Sequence, residues 1–205
     1  GAPGPGQVLV RVAACGVCRT DLHVCDGDLP LVRSPIVPGH EIVGRVSAVG
    51  TSVTKHAVGD LVAVGCLVDS DHTCPNCRAG RENFCPNQTL TFGSRDRHGT
   101  APMTFGGYSS SIVVDEHFVL RVPTNLDPAG AAPLLCAGIT TFNALRNSGA
   151  RPGDLVAVLG IGGLGHLGVQ YAAKMGCRTI AIARGAHKRA FALELGASHY
   201  IDSTT

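Results

Sequence analysis

Cys18, the pair His40-Glu41 and Cys136 stand in three separated segments of the chain, whereas Asp71, Cys74, Cys77 and Cys85 stand together in one. Both groups are metal-ligand residue types, in two different arrangements. A Cys/His/Cys set drawn from distant segments is the arrangement of a catalytic zinc, whose fourth position stays open to water or substrate. Ligands gathered in one loop are the arrangement of a closed, structural zinc. Downstream runs Gly160-Ile161-Gly162-Gly163-Leu164-Gly165, a dinucleotide fingerprint. A Lewis-acid metal together with a nicotinamide implies hydride transfer to or from a carbonyl.

Each feature has a plainer alternative. A lone cysteine is more often a small buried hydrophobe than a ligand, and separation in sequence does not by itself bring Cys18, His40 and Cys136 together. The compact cluster needs Asp71 as a carboxylate ligand, which zinc accepts at about 2.0–2.2 Å. The alternative there is a set of free thiols, with Cys66 a substitute ligand at the wrong spacing. The glycine run gains weight from its setting, after an apolar strand and at the start of a helix. Its first glycine allows the tight turn, the second lets the backbone approach a pyrophosphate, and the third permits close packing of helix on strand. The next strand ends Ala183-Arg184-Gly185 with no acid to hold a ribose 2′-hydroxyl. That ending favours NADP(H) over NAD(H), with Arg184 and either Lys188 or His187 near the 2′-phosphate. The alternative for Arg184 is a solvated surface charge.

The elements that must position these residues follow from periodicity. Residues 7–14 alternate like a strand after the Gly4-Pro5-Gly6 turn, and 42–49, 61–66, 108–114 and 117–122 read as further strands. Residues 67–107 are irregular and long enough to need an anchor, which a metal would supply. The expectation for residues 1–126 is a small β-barrel domain, with the metal loop at about 66–90. From Asp127-Pro128 the pattern turns helical. A buried strand at 155–159, a helix near 164–175, a strand at 178–183, a helix near 187–195 and a strand at 199–201 then follow. That β-α-β-α-β order predicts a parallel sheet over 127–205, the first half of a doubly wound dinucleotide fold, and so a fragment of a longer protein.

Composition narrows the class. The chain has 205 residues, 44% of them hydrophobic, with 27 glycines, no tryptophan and a net charge of +2. It carries no Lys/Arg run of the kind that tracks a nucleic-acid backbone, and no apolar run of membrane-spanning length. Nine cysteines, some at C-x2-C spacing, favour metal and a reducing, cytoplasmic compartment over disulfides. Cys15, Cys25 and Cys177 read as packing thiols. His56, His72, His98, His117 and His199 read as solvated. The chain does not begin with methionine, so an upstream targeting segment is left open.

Four stretches carry a resemblance that covers the whole chain. They are Cys15-Gly16-Val17-Cys18-Arg19-Thr20-Asp21-Leu22-His23, Pro38-Gly39-His40-Glu41, Leu134-Leu135-Cys136-Ala137-Gly138, and the glycine run with His166. Together they closely resemble the zinc-dependent alcohol dehydrogenases of the medium-chain dehydrogenase/reductase superfamily. Val64-Gly65-Cys66-Leu67-Val68-Asp69-Ser70 and Phe105-Gly106-Gly107-Tyr108-Ser109 narrow it to the cinnamyl alcohol dehydrogenase group and its bacterial NADP-dependent aldehyde reductase relatives.

The resemblance implies a GroES-like β-barrel catalytic domain followed by a Rossmann domain. It implies Cys18, His40 and Cys136 as catalytic zinc ligands and Glu41 as an acid able to exchange with one of them. Thr20 would take the alcohol proton, His23 would pass it to solvent, and Asp21 would orient the ligand histidine. Substrates would be primary alcohols and aldehydes, and the full-length protein a homodimer or homotetramer. The structural-zinc loop departs from the family spacing C-x2-C-x2-C-x7-C, because Asp71 fills its first position. Two other functions compete. One is a zinc-independent quinone or enoyl reductase on the same scaffold. The other is a truncated, non-catalytic chain that binds zinc or nucleotide.

Overall fold

The computed structural model describes residues 2–29, 34–97 and 101–205. They form two compact units, Gly1–Cys136 and Ala137–Thr205. The division falls after Cys136 rather than at 126/127, where the composition changes. The reason is packing: Ala131 and Ala132 join a core cluster with Val43, Leu61 and Ala63 of the first unit.

The first unit is built on a curled antiparallel sheet. In chain order its elements are β1 (Gln7–Cys15), helix α1 (Arg19–Cys25), β2 (Ile42–Val49), β3 (Leu61–Val64), β4 (Leu67–Asp69), α2 (Pro75–Arg78), β5 (Thr89–Leu90), β6 (Ser111–Asp115), β7 (Val119–Arg121) and α3 (Pro128–Ala131). Five strands pair in the order β6-β1-β2-β3-β7, and β4 pairs with β5 separately. Register shifts in the β1–β2 ladder, between Leu9 and Val10 and between Val12 and Ala14, bend the sheet. This is the GroES-like β unit expected from the sequence.

Alternation explains the core. Val8, Val10, Ile42, Val46, Val62, Val64 and Val114 cluster together, most of them with no exposure at all. Each such valine contributes roughly 1.5–3 kcal/mol by leaving water. Strand β3 is buried along its whole length, because Leu61 and Ala63 pack in the second cluster with α3. That double burial is why its sequence is a continuous apolar run rather than an alternating one.

Several elements differ from their predicted form. The strand predicted over 61–66 breaks at Gly65-Cys66, after which the chain enters the β4–β5 pair. Residues 108–110 lie outside β6, and the Tyr108 hydroxyl bonds Asp21. The start of the last predicted strand is a 3-10 turn, Glu116–Phe118, capped by the Asp115 carboxylate accepting from His117 N–H. Helix α1, not anticipated, spans seven residues. His98 lies outside the described residues.

The second unit contains α4 (Ala137–Asn147), β8 (Leu155–Leu159), α5 (Gly165–Lys174), β9 (Arg178–Ala183), α6 (Arg189–Glu194) and β10 (His199–Asp202). Its three strands are parallel, in the order β10-β9-β8, with the expected α/β alternation. Within this chain β8 pairs with β9, and Leu155 and Leu159 are 57% and 79% exposed; in a complete doubly wound sheet the first strand lies between the two halves and has a neighbour on each side. Val169, Ala181, Ala192 and Tyr200 form the core between helices and sheet. The predicted helix from Asp127 is in pieces, α3, a 3-10 turn and α4, and Cys136 breaks it with φ −124° and ψ −73°.

Candidate functional site

The first unit gathers four metal-ligand side chains at one point. Cys18, His40, Glu41 and Cys136 each bring a ligand atom within 4.8 Å of the others. Their local structure explains how. Cys18 is the N-cap of α1, where the chain turns from extended to helical. His40 and Glu41 immediately precede β2, and both are almost fully buried. Cys136 sits at the non-helical break before α4, and its Sγ lies 3.9 Å from Cys18 Sγ.

One carboxylate organises this group. Asp21, 2% exposed, accepts Cys18 N–H at 2.9 Å through Oδ2, closing a capping box on α1. Its Oδ1 accepts Gly39 N–H at 2.9 Å and stands 3.4 Å from His40 Nδ1. The Tyr108 hydroxyl donates to Oδ2 at 2.9 Å. The phenol is held well above its ordinary pKa, by burial first and then by that carboxylate. Gly39 has φ +101°, a backbone conformation that suits glycine and lets its N–H reach Asp21. Phe92 packs its ring 5.6 Å from the His40 ring.

The thiols perturb one another. Cys136 is pushed up to about 12, first by its hydrogen bond with Cys66, and Cys66 is lowered by the same bond. Burial raises Cys18. His40 is raised overall: burial pulls it down, but Cys136, Asp21 and Glu41 outweigh that. Two thiols, a buried imidazole and a buried carboxylate at this spacing form a donor set that suits zinc. Cys66, weighed in the sequence as a substitute for the compact cluster, belongs beside Cys136 instead.

Of the other residues singled out here, Thr20 is exposed on α1 with its Oγ1 3.5 Å from Cys18 Sγ. His23 lies outside the ligand group, half-buried in the last turn of α1, with Nδ1 2.7 Å from Asp28 Oδ2.

The compact cluster also converges: Asp71, Cys74, Cys77 and Cys85 bring ligand atoms within 4.8 Å of one another. Cys74 caps α2 and Pro75 starts it. Asp71 Oδ1 accepts the N–H groups of Cys74 and Thr73 at 2.9 and 3.0 Å, and Oδ2 accepts the Asn87 amide at 3.1 Å. Those donors, Cys74 first, hold the carboxyl far below the usual range. Asn87 also donates its backbone N–H to Cys85 Sγ at 3.3 Å. Asn87 was missed in the sequence, where an asparagine two residues beyond a cysteine carries no signal of its own.

The remaining cysteines and histidines differ in part from expectation. Cys25 is exposed, not packed. His56 is buried, with Nε2 3.2 Å from Val119 O. His72 and His117 pair with carboxylates, at Asp69 and Glu82. His199 is exposed, as expected.

In the second unit, Gly160, Ile161, Gly162, Leu164 and Gly165 line an open cleft of ≈ 690 Å³ with Arg184, His187 and Lys188. A Cβ at Gly165 would collide with Gly160 O, so the third glycine is required by the packing of helix on turn. A Cβ at Gly162 or Gly163 would meet nothing within 4 Å, which leaves open space above the turn. Arg184 is exposed at the end of β9. Lys188 reaches back, with Nζ donating to Ile161 O at 2.9 Å.

Comparison with known proteins agrees with these features. Residues 4–124 match the family described as alcohol dehydrogenase GroES-like domain, and residues 163–205 match the one described as zinc-binding dehydrogenase. A probable mannitol dehydrogenase of Fragaria ananassa is 47% identical over 202 residues, 98% of this chain and 56% of its own length. The aldehyde reductase YahK of Escherichia coli is 48% identical over 204 residues, 98% of this chain and 58% of its own. Among solved structures, CAD from Helicobacter pylori, complexed with NADP(H), superposes with a TM-score of 0.93 at 40% identity. The match covers 98% of this chain and 58% of that one. The chain thus spans a little over half the length of the curated relatives it matches.

Proposed function

Because this chain belongs to the alcohol dehydrogenase GroES-like domain family, we propose that the whole protein is a zinc-dependent, NADP(H)-linked alcohol dehydrogenase or aldehyde reductase. Primary alcohols and their aldehydes are the substrate class. The observation that carries this reading is the convergence of Cys18, His40, Glu41 and Cys136. A zinc-independent quinone or enoyl reductase has no need of that donor set. Cytoplasmic location and assembly as a homodimer or homotetramer belong to the same proposal. Among the described residues, no helix is long and apolar enough to cross a membrane.

Zinc held by Cys18, His40 and Cys136 would supply Lewis acidity toward the substrate oxygen, and NADP(H) would carry the hydride. The chain's own residues do the rest. Cys18 and Cys136 would hold the metal as thiolates, each giving up its thiol proton on binding. Asp21 fixes the His40 ring and the Cys18 backbone. Glu41, buried with its carboxylate among the ligand atoms, would be the acid able to exchange with one of them. The Thr20 hydroxyl takes the alcohol proton, and His23, steadied by Asp28, passes it to solvent. In the nucleotide cleft, the glycine turn admits the pyrophosphate at the start of α5. Arg184 holds the 2′-phosphate. Lys188, bonded to Ile161 O, braces the turn and adds positive charge to the cleft.

The compact Asp71, Cys74, Cys77 and Cys85 cluster is the second zinc site, structural in role. Its four donors leave no position for substrate.

The test is reduction of an aromatic aldehyde by the full-length protein, with NADPH and with NADH. His40→Ala should abolish turnover and leave NADPH binding intact, and Arg184→Asp should narrow the preference for NADPH. Undiminished turnover in His40→Ala would overturn the zinc mechanism.

A further inference from the structure

Outside both cysteine clusters, Asp69, His72 and Asp115 bring one ligand atom each within 4.8 Å of one another. We propose that they form a third metal site, which takes a borderline divalent ion such as cobalt, nickel or zinc through two carboxylates and one imidazole.

The three residues come from separate pieces of the fold. Asp69 ends β4, Asp115 ends β6, and His72 lies in the turn that leads to α2. His72 Nε2 stands 3.1 Å from Asp69 Oδ1 and 3.8 Å from Asp115 Oδ2. Neighbouring donors around an ion with bonds of about 2.0–2.2 Å lie roughly 3–3.6 Å apart. The first separation falls in that range, although it is also a hydrogen bond that an ion would have to replace, and the second needs only a small adjustment. At 3.8 Å, Asp115 Oδ2 is beyond hydrogen-bond length from the ring nitrogen.

Both carboxylates are oriented by backbone. Asp69 Oδ1 accepts Ser70 N–H at 2.7 Å, and Asp115 Oδ1 accepts His117 N–H at 2.8 Å. The His72 ring is steered edge-on by His117 and Phe118, at centroid distances of 5.8 and 6.1 Å. The Asp69 side chain is only 7% exposed. His72 is 44% exposed on the other side, so water can complete the shell. The imidazole selects borderline transition ions over magnesium or calcium.

The absence of sulfur gives the site a signature. Cobalt(II) on thiolates absorbs strongly in the near ultraviolet through charge transfer from sulfur, whereas cobalt on nitrogen and oxygen shows only weak visible bands. The experiment is cobalt(II) titration of the protein as purified, with zinc already in its thiolate sites, followed by absorption and by elemental analysis after desalting. The expected result is one further equivalent of cobalt per chain, with weak visible bands and no thiolate transition. His72→Ala and Asp115→Asn should each weaken that equivalent at least about tenfold and leave zinc content unchanged. No further equivalent, one that shows the thiolate transition, or one that survives both substitutions would overturn the proposal. The three residues would then be a hydrogen-bonded His72–Asp69 pair beside Asp115.

Discussion

Asp21 Oδ1 stands 3.4 Å from His40 Nδ1, while Asp21 Oδ2 holds the N–H of Cys18 at 2.9 Å. One buried carboxylate therefore orients two of the three candidate zinc ligands. Asp21→Asn keeps the size of the side chain but removes its charge. The substitution is expected to lower affinity at the catalytic site about 10–100-fold. Competition with a chromophoric chelator measures it. Affinity equal to that of the parent would show that Asp21 only caps α1.

The Asn87 side chain reaches Asp71 Oδ2 at 3.1 Å, and its backbone reaches Cys85 Sγ at 3.3 Å. Removing the amide frees the Asp71 carboxylate to turn away from the cluster. Asn87→Ala is therefore expected to speed release of the structural zinc by about tenfold. Asp71→Cys, which restores a fourth thiolate, should slow it. Release timed with an excess of chelator is the readout. Equal rates for Asn87→Ala and the parent would mean that Asp71 is not a ligand.

Glu116 accepts the backbone N–H groups of Thr54 and Lys55 at 3.0 and 2.8 Å. Burial works to raise its pKa, but those donors and the charges of Lys55 and His56 hold it below the ordinary value. A depressed carboxyl stabilises the fold above its unfolded pKa, about 4.3. That contribution is lost as the pH falls through the lower folded value. Glu116→Gln should therefore cost no more than about 1 kcal/mol near neutrality, and less as acid is added. Denaturant unfolding across the acid range checks this. A difference that stays constant with pH would remove the carboxylate's charge from the account.

Much of this was legible in the sequence because two periods, the strand's and the helix's, are strong here. Strands β1, β2, β8 and β9 begin and end close to their apolar patterns, and the glycine turn sits where its spacing placed it. Helix α1 escaped because its seven residues, Arg19–Cys25, are too few for helical periodicity to show. The apolar run of β8 suits a strand with neighbours on both sides, of which this chain holds one, β9. The metal-ligand candidates were legible as residue types, and the family resemblance grouped them. The residues around them were not. Cys66 beside Cys136, Phe92 against His40 and Asn87 on Asp71 are contacts across distant or irregular backbone. His56 read as polar and solvated, yet it is buried with its Nε2 near a strand carbonyl. Asp69, His72 and Asp115 come together only because β4 and β6 end at neighbouring points.

Cys18, His40 and Cys136 are expected to hold a zinc ion separate from one held by the compact cluster. Zinc content per chain, measured by elemental analysis on protein purified without added metal, tests it beside a Cys136→Ala control. Two tightly held zincs are expected in the parent and one in the control. A zinc content that does not change in Cys136→Ala, or a parent without zinc, would contradict it.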